Sequence, residues 1–169
     1  MVYGCCFWPI QERENMKKKY SFFGKSLILS LIDSKQVKEA DREIMFDQIK
    51  EMEYQELGYF TTIIDPESLS NDMLSQGSNF RNLNTISHDT AIALIQRVIN
   101  LEVNLTRVIL DTVGIAEKYQ EKLSRIFKNN KFGNEIEIIV ESKADANHPV
   151  VSAASICAKV TRDKCLENW

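Results

Sequence analysis

Apolar positions along this chain recur with two periods, one of two residues and one of three to four, and each change of period marks an element. Met1–Trp8 (MVYGCCFW) is apolar and aromatic throughout and is closed by Pro9, which predicts a buried strand. The next segment, QERENMKKKY, is charged and aperiodic, an exposed loop in which Lys17–Lys19 reads as a solvated tip. Val37, Ala40, Ile44, Ile49 and Met52 then fall at helical spacing and predict a helix over Gln36–Glu53, capped by Asp33 or Ser34. Tyr59–Ile64 (YFTTII) is β-branched and aromatic, a strand stopped by Asp65-Pro66. A short helix over Ser68–Gln76 and a loop at Gly77-Ser78-Asn79 follow.

In the second half, Ser87-His88-Asp89 predicts the cap of a helix over Asp89–Asn100, with Ile92, Ile95, Val98 and Ile99 inward and His88 structural. Arg107–Leu110 (RVIL) reads as a short buried strand, and Glu117–Lys128 as a helix whose face is Tyr119, Leu123, Ile126 and Phe127. Asn129-Asn130 and Gly133 turn the chain into a strand over Glu135–Val140. Pro149 sits where a first helical residue belongs, and the helix it opens is rich in small residues: Ser152, Ala153, Ala154, Ser155 and Ala158. Strands alternating with helices predict an α/β domain with a mixed sheet, spanning residues 1–169 as one unit.

Composition narrows this picture only a little. With 169 residues and 44% hydrophobic content the chain can bury one ordinary core, and its net charge of −3 lends no bulk support to nucleic-acid binding. Cys5, Cys6, Cys157 and Cys165 show no C-x-x-C spacing and there are two histidines, which argues against zinc and for reduced thiols. No apolar run reaches the roughly 18 residues of a membrane span, and no leader of secretory type opens the sequence. The sequon Asn104-Leu105-Thr106 therefore carries no weight.

Candidate chemistry gathers at two aspartates. Asp111 and Asp145 stand at or just beyond the C-terminal ends of two strands separated by one helix, where α/β sheets hold ligands. Oxygen donors without histidine or thiolate suit Mg²⁺ or Mn²⁺, and two such ions can serve an in-line phosphoryl displacement. An aspartate after a strand also commonly caps the turn that follows, so spacing alone leaves both readings open. Lys143, Lys159, Arg162 and Lys164 place cations around the small-residue helix, whose N-terminus favours anions. Gly24-Lys25-Ser26 invites a phosphate-loop reading, but position 19 is lysine where that loop needs glycine. A nucleotide-binding α/β protein is set aside on that ground.

The run KADANHPVVSAASICAKVTRDK resembles the signature of type 2 ribonuclease H, ribonuclease HII, and NLNTISHDTAIALIQ, VILDTVG, IDSK and MVYGCCF match in the family's order. The middle stretches resemble the eukaryotic catalytic subunit in particular. The resemblance implies a ribonuclease H-like mixed sheet flanked by helices. It implies metal-dependent endonucleolytic hydrolysis of RNA in RNA–DNA hybrids, and of single ribonucleotides embedded in duplex DNA, leaving 5′-phosphate ends. Asp111 (in LDTVG) and Asp145 (in KADANHP) match two of four acidic positions of a two-metal Mg²⁺ or Mn²⁺ site. Lys35 and Ser34 (in DSK) match positions at the nucleic-acid backbone, and Lys143, Lys159 and Arg162 are expected at the same interface. Two accessory subunits in a heterotrimer and a nuclear setting, with a cytosolic one as the alternative, are implied by the family as well.

Two departures accompany the resemblance. Asn147-His148 stands where the family more often has a basic residue and tyrosine, and Gln11–Tyr20 matches nothing in the family. The family's Asp-Glu-Ala-Gly-Arg-Gly motif, with its first and central strand, and the C-terminal helices have no counterpart in the sequence. The expectation is a domain truncated at both ends and a chain inactive by itself. A non-catalytic structural or assembly fragment that keeps the family fold is the alternative.

Overall fold

The computed structural model describes residues 1–10, 38–52, 57–75, 80–129 and 132–168. Ser34, Lys35, Val37, the Gln11–Tyr20 loop, Gly24-Lys25-Ser26 and Gly77-Ser78-Asn79 lie outside the described residues. Two compact units are present, Met1 with Ile63–Ala144 and Val2–Thr62 with Asp145–Trp169, and each is taken by itself below.

The second of these units is built on β1 (Val2–Phe7), α1 (Glu39–Met52), most of β2 (Gly58–Ile63) and α6 (Pro149–Glu167). β1 and β2 form a two-stranded sheet. Just beyond it, within the first unit, Met1 and Ile64 exchange both backbone bonds, as an antiparallel pair does. The core of this unit joins Cys6, Met45, Phe46, Ile49, Leu57, Ala153, Ile156, Cys157 and Val160. On α1 the buried face is Met45, Phe46 and Ile49, whereas Ala40 is exposed and Ile44 is 53% exposed. The expected stripe had the right period and the wrong phase. Arg42 explains the shift, because its guanidinium turns to the core side to meet Asp163 of α6 at 3.1 Å.

The first unit contains α2 (Pro66–Leu74), α3 (Leu83–Asn100), β3 (Arg107–Asp111), α4 (Ala116–Ile126), β4 (Glu137–Glu141) and the start of α5 (Ala144–Asn147). Asp65 caps α2 by accepting from the Ser68 N–H at 2.8 Å, with Pro66 in its first turn. α3 starts six residues before the expected Asp89. Its cap is Asn82, whose Oδ1 accepts from the Thr85 N–H at 2.8 Å, so Ser87, His88 and Asp89 lie within the helix. Ser87 and Thr90 turn their hydroxyls back to the carbonyls of Leu83 and Ile86, which lets them sit inside a helix.

β3 and β4 pair in parallel with Arg107 opposite Glu137 and Asp111 opposite Glu141. Ile95, Tyr119, Leu123, Phe127, Ile136, Ile138 and Val140 fill the core of this unit. The fold is α/β as expected, but among the described residues the strands form two two-stranded sheets, and no ladder joins β1 to β3.

Candidate metal centre and nucleic-acid interface

β3 forms because Val108, Ile109 and Leu110 suit a half-buried strand, and its C-terminal residue is Asp111. The parallel register sets Glu141 beside it at the end of β4. The Asp111 carboxylate is exposed, and its Oδ1 accepts from the N–H groups of Thr112 at 3.1 Å and Ala144 at 3.4 Å. Its Oδ2 makes no hydrogen bond among the described residues. One oxygen is therefore anchored and the other is open, the disposition a monodentate ligand of a hard cation needs.

The loop after β3 is tied down in turn. The Thr112 N–H also reaches the Glu141 carbonyl at 3.0 Å, and Thr112 Oγ1 donates to the Gly114 carbonyl at 3.3 Å. Gly114 takes φ +82°, a left-handed conformation open to glycine at little cost.

Asp145 lies in α5, one residue after Ala144, and is 9% exposed. The chain reaches it through Lys143, a non-glycine residue at φ +59° and itself exposed. Such a backbone is uncommon outside glycine and marks a turn held by its surroundings. Asp111 and Asp145 supply the carboxylate oxygens that Mg²⁺ or Mn²⁺ prefers, so the donors fit such an ion in type. Among the described residues no group of three or more His, Cys, Asp or Glu side chains could enclose one.

α6 begins at Pro149 as expected, with His148 at its cap and no side-chain cap bond. Free donors at its start are fewer than expected: Pro149 has none, and the N–H groups of Val151 and Ser152 both reach the His148 carbonyl at 3.0 Å. Of the expected interface cations, Lys159 is half-buried and engaged, and Arg162 spends its guanidinium on the neighbouring Asp163. Lys164 lies over the Phe46 ring at 5.7 Å.

A family model for ribonuclease HII matches residues 1–169. The chain belongs to the ribonuclease HII family. Within it, the A subunit of ribonuclease H2 from Arabidopsis thaliana is 42% identical over 169 residues, and those from Bos taurus and Homo sapiens are 39% and 38% identical. Each of these matches covers 100% of this chain and 50% of the relative, so the chain spans about half the length of the curated relatives it matches. Among solved structures, the ribonuclease HII complex with PCNA from Archaeoglobus fulgidus is similar at a TM-score of 0.71 and 22% identity, covering 99% of this chain and 66% of that one. Ribonuclease H2 from Pyrococcus horikoshii is similar at 0.67 and 19%, covering 99% and 75%. These likenesses bear out the ribonuclease HII fold read from the motifs.

For this ribonuclease HII chain, sequence reasoning passed over Glu141 and the Ala144 N–H at Asp111. The signal was there for Glu141, because ILD and IVE end the two strands alike. What it lacked was the register that sets the two endings side by side.

Proposed function

We propose that this chain serves the reaction of a type 2 ribonuclease H, endonucleolytic hydrolysis of RNA in RNA–DNA hybrids and at single ribonucleotides in duplex DNA. The observation that carries the reading is Asp111 at the end of β3, one oxygen anchored by two backbone N–H groups and the other open. Asp111 and Asp145 are the assigned metal ligands. When bound, Mg²⁺ or Mn²⁺ would supply Lewis-acid activation of the phosphate and of the attacking water. Asp111 is oriented for such a role by the Thr112 and Ala144 N–H groups. Lys143, exposed on its left-handed turn, is placed to neutralise backbone phosphate, with Ser34, Lys35, Lys159 and Arg162 assigned to the same interface. The family supports two accessory subunits as partners and a nuclear setting.

The test measures Mn²⁺ affinity by electron paramagnetic resonance, together with binding and Mg²⁺-dependent cleavage of a duplex carrying one ribonucleotide. Asp111→Asn and Asp145→Asn keep size and remove charge. Each should weaken Mn²⁺ binding by about tenfold or more while hybrid binding stays within about twofold. Unchanged Mn²⁺ affinity in either variant refutes that residue's role. The chain by itself is expected to cleave slowly or not at all. Hybrid binding without cleavage even beside the accessory subunits would assign the alternative, a non-catalytic assembly piece.

A further inference from the structure

The geometry points to His88 as a positioning residue for Asp111, acting through the loop Thr112–Gly114; the inference rests on the metal-ligand reading of Asp111. His88 lies in the second turn of α3, and its ring stacks flat on that of Tyr119 from α4, with centroids 3.8 Å apart and planes at 8°. Tyr119 is 3% exposed, so the imidazole rests on a fixed floor. Its Nε2 is 3.1 Å from the carbonyl oxygen of Val113, two residues beyond Asp111. A carbonyl oxygen only accepts, so Nε2 carries the proton, and in the neutral ring Nδ1 does not.

This bond differs in kind from the other ties on the loop. The Thr112 N–H bonds to Glu141 and to Asp111, and Thr112 Oγ1 bonds to Gly114, all within the loop and the strand ends it joins. The His88 bond links the same loop to the helices. Gly114, at φ +82°, leaves the loop free to take other conformations unless something outside holds it. The chain of contacts runs from imidazole to Val113 carbonyl, back along the backbone to the Thr112 N–H, and from there to Asp111 Oδ1. Partners one step removed from a metal ligand fix its orientation, and their loss commonly weakens metal affinity by about 10- to 100-fold. A histidine that only filled space would need the stack and not the donor.

Two variants separate those functions. His88→Phe keeps the stacked ring and loses the donor, while His88→Gln keeps an N–H donor and loses the stack. In the wild-type chain, ¹⁵N NMR should show the proton on Nε2. His88→Phe should weaken Mn²⁺ binding by about tenfold and speed hydrogen exchange of the Thr112 amide by a similar factor. His88→Gln should recover much of both losses even though its melting temperature falls further. A neutral ring protonated on Nδ1, or His88→Phe with wild-type Mn²⁺ affinity and exchange, overturns the proposal. So do losses that follow melting temperature, with Gln worse than Phe. If Asp111→Asn leaves Mn²⁺ affinity unchanged, the metal-ligand reading fails instead, and Thr112 exchange in His88→Phe still decides whether His88 holds the loop.

Discussion

The packing of β1 on α6 and the packing of α4 on β4 fill two cores by opposite means. On α6 the buried positions are Ser152, Ala153, Ile156, Cys157 and Val160, mostly small, and the strand comes in close. A Cβ on Gly4 would stand 2.1 Å from the Ala154 carbonyl oxygen, so backbone meets backbone there. Cys6 and Cys157 meet inside this contact with their sulfurs 3.8 Å apart. The hydrogen bond to Cys157, with burial, pushes the Cys6 thiol well above its ordinary pKa, while burial and the nearby Cys157 take Cys5 up to about 11. Both are therefore packing groups at neutral pH, and not nucleophiles. α4 does the reverse, driving Tyr119, Leu123 and Phe127 against Ile136, Ile138 and Val140. Its Gln120 also reaches the Val140 N–H at 3.0 Å, satisfying a strand donor with a side chain. One core is limited by how close two backbones come, the other by how much volume its side chains supply.

That contrast predicts opposite sensitivities. The largest effect should come from adding a single carbon at Gly4. Gly4→Ala meets backbone atoms that cannot rotate away and should destabilise by at least about 3 kcal/mol. In the other core three carbons must be removed for a comparable loss, since Leu123→Ala at a fully buried site costs about 3 kcal/mol. Thermal melts of the two variants check this pair. A Gly4→Ala protein that melts like the wild type would end the close-packing account.

A smaller effect concerns charge in the close-packed unit, at the Arg42–Asp163 pair, whose side chains are each 16% exposed. Burial works to raise the Asp163 pKa, but hydrogen bonds and charge from Arg162 and Arg42 outweigh it and hold the carboxyl below its ordinary value. A depressed folded pKa contributes stability above the ordinary carboxyl range, near pH 4, and loses it as pH falls through the lower folded value. Asp163→Asn should therefore lower the melting temperature at pH 7 and approach the wild type near pH 3. A gap that stays constant between those pH values would show that the pair adds no charge-dependent stability.

The smallest effect has the opposite sign. Ser152 is fully buried on α6, and its hydroxyl has no hydrogen-bond partner among the described residues. Ser152→Ala removes an unsatisfied polar atom without adding volume, so it should be neutral or stabilise by about 1 kcal/mol. A loss above about 1 kcal/mol would mean that the hydroxyl is bonded in solution and that the small residues of α6 do more than admit β1.

Local pattern was enough for each described strand and for the helix that Pro149 opens, because alternation and a proline at a first turn act over a few residues. The runs LDTVG and KADANHPVVSAASICAK were enough for the family, since so long a match fixes residues one by one. What periodicity could not say is which partner each face would meet. Ile44 and Met45 are neighbours of similar character, and only Arg42 reaching Asp163, 121 positions away, decides which of the two is buried. The start of α3 turned on a single cap, Asn82, that competes with an equally plausible Ser87 until the Thr85 N–H chooses. Glu141 beside Asp111, and His88 on the Val113 carbonyl, are likewise contacts between segments 30 and 25 residues apart. Such contacts follow from strand register and helix packing, which are properties of the folded chain and not of any window along it.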